Sequence, residues 1–364
     1  MQNNEDVRNI RYNTKENDVI SVASIDDIEM ALINVMYQFD KRYAPYAGVS
    51  IKSLLTNSKT PKEVKFYLVT VGEIGDDTDK IKKTIEEYGA DCLFIDAESI
   101  NNRLFEMGIP SYRGSQATNF KLFIKELIPD DVERILYIDC DTIVCDDLTP
   151  LFKEEMKTPL AMCLESICSK VKVFKGFERD DYYFNGGVIL FDMKMWKEEK
   201  CQERIESFMK EQKIRFSAPD QDLINVLFKG KITLLPPKYN LQPMHYAYSD
   251  SLYYNYYKPD GYYSKEEVVN ARKEPVIMHT YRFIGEFPWH KGNVHPQTPF
   301  FDHYLMNSEW KDYEKKNSDM PLIFKIEKVM YRILPRSVFL RIFDFFFNMY
   351  QKKIIKSVRN GSDA

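Results

Sequence analysis

The stretch RILYIDCDTIV, residues 134–144, is an apolar run that stops on two acids one residue apart, Asp139 and Asp141, on either side of Cys140. Two carboxylates at that spacing make a hard-oxygen pair suited to Mg²⁺ or Mn²⁺, with coordination positions left for phosphate oxygens. Such pairs also arise by chance on protein surfaces. The apolar run in front of them weighs against chance, because two charges at the end of a buried strand cost folding energy unless something binds there. Other places carry candidate chemistry with a plainer reading beside each. Asn185 precedes Gly186 and a second glycine in FNGGVILF, which lets backbone approach a ligand closely, or simply turns the chain before a strand. Asp220, Gln221 and Asp222 open a helix, where acids are common as caps. His279 ends the run PVIMH, and a lone histidine there is most simply a satisfied core residue.

These residues need elements to place them. From Ala31 the chain alternates apolar runs with helical spacing: ALINVMYQF, YAGVSIKSLL, KFYLVTV, DTDKIKKTIEEYG and DCLFIDA, a βαβαβ series. FKLFIKELI predicts a further helix, and RILYID a strand ending at the aspartates. GVILFDM reads as a strand and KEEKCQERIESFMKEQ as an amphipathic helix. DQDLINVLFKG reads as a helix with acid in its first turn and glycine at its close, and PVIMH as a last strand. Strands separated by helices imply an α/β fold whose mostly parallel sheet is covered by helices on both faces, a class that binds ligands beyond the strand C-termini. A Tyr-rich stretch at residues 245–264 suits either stacking against a ligand or a packed lid.

Composition bounds the function. A chain of 364 residues can bury a full core as one large α/β domain with additions. With 51 basic and 55 acidic residues the formal net charge is −4, so no nucleic-acid partner is indicated. Six cysteines without paired CxxC spacing read as reduced thiols of a cytoplasmic protein. Residues 1–30 are polar and charged, without the apolar core of a secretory signal, and read as an arm before a domain at 31–320. No apolar stretch reaches membrane-spanning length. The tail, residues 321–364, changes character: from Leu322 to Arg359 nine Lys or Arg stand against Glu327 and Asp344, interleaved with eight Phe or Tyr. That segment carries +7, which leaves −11 on the rest. It reads as two short amphipathic helices split at Pro335. They would suit an anionic surface on the inner face of the cell membrane, or packing against the core or another subunit of an oligomer.

Four stretches, in this order, resemble the successive motifs of the family 8 glycosyltransferases, the retaining bacterial galactosyl- and glucosyltransferases related to glycogenin. They are RILYIDCDTIVCDDLTPLF, DYYFNGGVILFDMKMW, PDQDLINVLFKGKITLLPPKYN and VIMHTYRFIGEFPW. The resemblance runs from about Ala31 to about Trp289. It implies the GT-A fold, a single Rossmann-like twisted sheet, with a UDP-hexose donor, Mn²⁺ (or Mg²⁺) as cofactor, and a glycan or lipid-linked glycan as acceptor. By resemblance Asp139 and Asp141, with Cys140 between them, hold the cation across the diphosphate, and His279 is a third ligand from a distant strand. NVMYQFDKRY matches the uracil and ribose grip, with Gln38, Asp40 and Tyr43 as candidates, although Asp40 equally suits a helix N-terminus. Lys121 stands where many members have Arg, keeping the charge but losing the planar fork. Asn185, with Gly186, matches a contact to the donor sugar. Asp220 matches a residue binding sugar hydroxyls, Gln221 one near the reacting carbon, and Glu165 falls near another acid beside the sugars.

The last motif departs from the pattern. The family reads roughly HxxGxxKPW, its Lys donating to the diphosphate, whereas HTYRFIGEFPWHK is longer, keeps Gly285 and puts Phe287 at the Lys position. Arg282 or Lys291 could supply the charge instead. Retention needs a covalent intermediate or attack from the face the phosphate leaves. Gln221 is a poor nucleophile, since an amide oxygen is far less basic than a carboxylate. Same-face substitution is therefore expected, the leaving phosphate taking the acceptor proton. Two rivals stay open at this level. DCDTIV also resembles the first motif of haloacid-dehalogenase-like phosphatases, though that motif usually opens its domain. The other rival is a non-catalytic sugar-nucleotide-binding protein.

Overall fold

The computed structural model describes residues 32–109, 111, 115–166, 169–211, 218–257 and 260–360, so the expected arm at 1–30 lies outside the described residues. The apolar runs become β1 (Ile33–Phe39), β2 (Val64–Thr70), β3 (Asp91–Asp96), β4 (Arg134–Ile138), β5 (Thr142–Val144), β6 (Leu160–Leu164), β7 (Phe184–Asp192), β8 (Ile232–Leu234) and β9 (Ile277–His279). Seven of them form one sheet in the order β3-β2-β1-β4-β7-β6-β8. β1 is parallel to β2 and β4, β2 to β3, and β6 to β8, whereas β7 runs antiparallel to both β4 and β6. The sheet is the mostly parallel one expected, with one reversed strand.

Every residue of β1 is buried, as in a central strand covered on both faces. Successive side chains enter opposite cores. Val35, Tyr37 and Phe39 pack with Phe66 and Leu68 of β2, Leu136 and Ile138 of β4, and apolar residues of the helices Ala44–Asn57 and Asp77–Glu87. Met36, Tyr67, Val69, Ile135 and Tyr137 fill the other core with residues of the helices Glu98–Glu106, Cys201–Glu211 and Pro219–Leu227. Helices thus cover both faces.

Three local readings change. FKLFIKELI begins in a 3₁₀ segment, Ala117–Phe123, and ends in a short helix, Ile124–Leu127. Residues 119 to 123 are all buried, so tertiary contacts override the helical spacing there. KEEKCQERIESFMKEQ is broken: Met193–Glu198 and Cys201–Glu211 are separate helices, with Lys200 between them at φ 52°, a left-handed conformation that ends the first. The Tyr-rich stretch contains the helix Asp250–Tyr257, and Tyr248, Tyr253 and Tyr263 are buried. The short strands β5, β6 and β8 carried no period long enough to read.

The tail forms the helices Leu322–Ile333 and Arg336–Asn360; the second is long rather than short. Tyr331, Phe339 and Leu340 are buried in a third apolar cluster with Tyr248, Tyr253, Phe283 and Ile284.

Candidate active site

The site is assembled by β5 and β9, which pair antiparallel outside the main sheet with Thr142 opposite His279. β4 ends at Ile138, its next residue Asp139 donates its backbone N–H to Gly187 O at 2.8 Å, and β5 begins immediately beyond Asp141. The pairing carries residues 277–279 onto the acid pair, and Thr280 fixes the junction by donating both its N–H (2.6 Å) and its hydroxyl (2.9 Å) to Asp141 O. His279 Nε2 then lies 3.2 Å from Asp141 Oδ1 and 3.6 Å from Asp139 Oδ2. One ligand atom from each of the three residues falls within 4.8 Å of the others.

The imidazole is oriented from behind. Its Nδ1 lies 3.1 Å from Asn185 Oδ1 and 3.2 Å from Asn240 Oδ1. Asn185 Oδ1 also accepts from Gly187 N (2.9 Å) and Asn240 Nδ2 (2.8 Å), which fixes it as the oxygen of the amide. Two acceptors place the proton on Nδ1 and leave the Nε2 lone pair facing the carboxylates, the arrangement a metal-bound histidine needs. Burial disfavours a charged imidazole, but Asp141 and Asp139 outweigh it and hold the His279 pKa up. Burial likewise raises Asp139, with Lys121 opposing and Asp141 adding to the shift. A Cβ on Gly187 would lie 2.1 Å from His279 Cε1 and 2.7 Å from Asp139 Oδ2, so the cradle admits only glycine there. Two carboxylates, one imidazole and that cradle fit a small divalent cation.

A cavity of about 360 Å³ opens over this cluster, lined also by Gln38, Asp40, Tyr43, Glu165, Asn185, Gly186, Asp220, Gln221 and Arg282. The geometry brings together most residues singled out from the sequence. Gln38 is buried; its Nε2 donates to Thr118 O and Tyr137 Oη, and its Oε1 accepts from Lys121 N. Asp40 is engaged by the Arg42 guanidinium, through Nε at 3.1 Å and Nη2 at 2.6 Å. Cys140 lines the cavity beside the acids. Lys121 is placed differently from a direct ligand contact: it is buried behind the wall, with Nζ 2.7 Å from Asp220 Oδ2 and 2.8 Å from Gly186 O, and 4.2 Å above the Tyr137 ring. Gly285 and Lys291 do not line the cavity. Gly285 instead faces the tail, where a Cβ would lie 2.8 Å from Phe324 Cγ, and Lys291 is exposed.

Gln221 is fixed at both ends. Its Oε1 accepts from Gly186 N at 2.9 Å, and its Nε2 donates to Glu165 Oε2 at 3.3 Å and Tyr183 Oη at 3.2 Å. Glu165 also accepts from Asn185 Nδ2 and the Tyr281 hydroxyl, so this acid organises the floor. Asp222 points away from the cavity, bound by Lys175 at 2.7 Å and 3.0 Å and by the Tyr183 hydroxyl. Sequence reasoning passed over Tyr137, whose hydroxyl donates to Asp139 Oδ1, and Asn240. Strand period was the available signal for Tyr137, two residues before Asp139 and so on its face. Asn240 ends a quoted motif, but nothing in its neighbours marks it as a partner of His279.

Residues 34–292 match the family model described as Glycosyl transferase family 8. The chain is similar to General stress protein A of Bacillus subtilis, 24% identical over 77% of this chain and 95% of the relative. It is similar to a lipopolysaccharide 1,2-glucosyltransferase of Escherichia coli, 27% identical over 80% of this chain and 83% of the relative. Among solved structures it superposes on galactosyltransferase LgtC in complex with donor and acceptor sugar analogues. The TM-score is 0.61 and identity 22%, covering 76% of this chain and 96% of that one, which places the fold among such transferases.

Proposed function

The chain belongs to glycosyl transferase family 8, and from that premise we propose that it transfers a hexose, glucose or galactose, from a UDP-sugar to a glycan or lipid-linked glycan of the cell envelope, with retention at the sugar carbon. The observation that carries this reading is the convergence of Asp139, Asp141 and His279 at the floor of a cavity whose wall holds Gln38, Asp40 and Tyr43. Envelope glycans are favoured by the relatives, among them the glucosyltransferase above and a lipopolysaccharide 1,3-galactosyltransferase of Salmonella typhimurium.

Each residue then has a task. Asp139, Asp141 and His279 would hold Mn²⁺, which when bound neutralises charge on the diphosphate as it departs. Gln38, Asp40 and Tyr43 grip the uridine. Asp220, with Lys121 behind it, accepts hydrogen bonds from sugar hydroxyls, and the buried lysine holds that carboxylate in its aim. Gln221 lies with its amide locked by Gly186, Glu165 and Tyr183, so it orients the sugar rather than attacking it. With no carboxylate fixed in the place of Gln221, same-face substitution is the step these residues support. The acceptor hydroxyl gives its proton to the departing phosphate oxygen while the sugar carbon exchanges one oxygen for the other.

The tail bears on location. No helix among the described residues is long and apolar enough to cross a membrane. Leu322, Ile326, Val329 and Ile333 form an exposed apolar stripe on one helix, and Phe345, Phe346 and Met349 are exposed on the next. With the flanking lysines and arginines, these surfaces fit an anionic membrane face, which would keep the enzyme beside lipid-linked acceptors.

The test is a screen of nucleotide sugars with Mn²⁺, reading UDP release. One UDP-hexose should give release that Asp139→Asn and His279→Ala abolish. Release of phosphate from simple esters instead would point to a phosphatase, and tight UDP-sugar binding without release to a binding protein.

A further inference from the structure

The chain leaves His279 through a tight hairpin with residues of both its arms at the cavity. Phe283 and Glu286 exchange both backbone hydrogen bonds: the Phe283 N–H donates to Glu286 O at 2.9 Å and the Glu286 N–H to Phe283 O at 3.1 Å. Ile284 and Gly285 make the turn between them, both left-handed, at φ 49° and 74°. A two-residue turn between twisted strands demands that conformation. Glycine adopts it without strain, whereas isoleucine, branched at Cβ, does not. On one side of the turn Tyr281 and Arg282 line the cavity, and on the other Phe287 does. The Tyr281 hydroxyl also donates to Glu165 Oε1 at 3.2 Å, and its ring meets the His279 imidazole at 5.0 Å and 86°. The turn therefore sets where one wall of the site stands.

A strained turn persists where its surroundings over-determine it, and the surroundings here belong to the tail. Ile284 is buried in the third apolar cluster with Tyr331, Phe339 and Leu340. Phe283 meets the Tyr331 ring at 5.2 Å and 79°. Gly285 lies so close to Phe324 that no Cβ fits between them. Glu286 supplies the strongest tie. Its side chain is 2% exposed, its Oε1 takes Lys328 Nζ at 2.8 Å, and its Oε2 has no hydrogen-bond partner among the described residues. A buried carboxylate held by one cation is costly once that cation is gone. One turn further along the helix, Arg332 Nη2 donates to Gly292 O at 2.7 Å and extends the hold. The exposed stripe of Leu322, Ile326 and Val329 takes no part in these contacts.

Resting on the proposed UDP-sugar reading, we infer that the tail is part of the active site's construction: the helix Leu322–Ile333 braces the hairpin 283–286, and Lys328 is the positioning residue that locks it through Glu286. Lys328 touches no substrate. Its effect passes through the turn to the wall residues on either side, and to His279, whose backbone runs into the hairpin. None of these inward contacts is needed to hold a membrane, so the tail serves turnover even where no lipid is present.

The experiment uses the full chain without lipid, so that membrane docking plays no part. It compares Lys328→Met, Lys328→Arg, the double variant Glu286→Gln with Lys328→Met, and Lys325→Met as a control on an exposed lysine of the same helix. Hydrogen exchange is read at the Phe283 and Glu286 amides and across β1, alongside kcat and KM for UDP release with Mn²⁺. Lys328→Met should speed exchange at those two amides by about tenfold or more while β1 keeps its protection. It should lower kcat by about 10- to 100-fold, the scale of a small misplacement at a reacting centre, and raise KM less. Lys328→Arg should keep most of the activity, and Lys325→Met should match the unaltered protein. The double variant should recover kcat over Lys328→Met, because it strands no buried charge. If Lys328→Met proves unfolded, Phe324→Ala, which empties the space against Gly285, should show the same faster exchange and the same loss. Faster exchange with kcat unchanged would make the brace a matter of folding alone and overturn the inference. So would unchanged exchange and kcat, or a loss of kcat with β1 loosened as much as the hairpin. In each of these cases the UDP-sugar reading stands, since the unaltered protein still releases UDP. If it releases none from any UDP-hexose, that reading falls and the inference with it.

Discussion

Gly187 has no room for a side chain, and that makes it a probe of the cluster. An alanine Cβ would press on His279 Cε1 and Asp139 Oδ2 together, so at least one ligand must move. Gly187→Ala and Asn240→Ala should each weaken Mn²⁺ uptake in the presence of UDP by about 10- to 100-fold, the range expected when a ligand's support is disturbed. Calorimetric titration with MnCl₂ checks both, and unchanged uptake in Asn240→Ala would remove the asparagine from any role in orienting His279. Lys121 tests packing instead. Its side chain is 1% exposed and paired with Asp220, so Lys121→Met strands a carboxylate and should cost about 3–5 kcal/mol in urea unfolding. Adding Asp220→Asn should return part of that loss. At this scale the sequence was informative where spacing carried the chemistry, as for Asp139 and Asp141. It singled out Lys121 but not its place behind the wall, which depends on which way a 3₁₀ turn points it.

Among the elements, the pairing of β5 with β9 decides the site, and it could not be read beforehand. TIV and IMH are three-residue strands whose partners are over a hundred positions apart, and nothing in either run names the other. The two tail helices were legible because each has helical spacing and Pro335 divides them. What periodicity did not show is that the first helix clasps the turn after His279: Lys328 Nζ lies 2.8 Å from Glu286 Oε1, a carboxylate 2% exposed. Next to Lys328, Glu327 is half-buried with Oε2 unpartnered, and burial pushes its pKa up to about 7. Below the ordinary glutamate range both folded and unfolded chains hold this proton. Between about 4.5 and 7 only the folded chain does, so stability falls as pH rises through that window and levels off above it. Glu327→Gln should flatten this slope. Thermal melts or limited proteolysis of the tail at pH 5.5 and 8 check it; the wild type should loosen at the higher pH and the variant should not.

For the whole molecule, alternation of strand and helix patterns was enough to forecast a mostly parallel sheet between two helical layers, because burial on both faces leaves continuous apolar runs. The reversal of β7 was not forecast, since an apolar run reads the same in either direction. The division of charge was visible in composition, +7 on residues 322–359 and −11 on the rest, but not which face of the tail would be covered. The structure splits it: Tyr331, Phe339 and Leu340 turn inward, while Leu322, Ile326, Val329 and Ile333 stay exposed. That division shapes the test of membrane docking. Deleting residues 322–364 should abolish sedimentation with vesicles containing anionic lipid, but it also uncovers the third apolar cluster. Ile326→Glu with Val329→Glu is cleaner, because it places two charges on the exposed stripe and leaves the inward contacts intact. Each basic residue at such a surface contributes about 1 kcal/mol, and screening at 1 M salt shortens its reach to about 3 Å. The unaltered protein should therefore bind anionic vesicles, bind neutral ones weakly, and detach as salt rises. The double variant should stay in the supernatant while still releasing UDP with a soluble acceptor. Vesicle binding by the variant equal to the unaltered protein's would show that the stripe has another use.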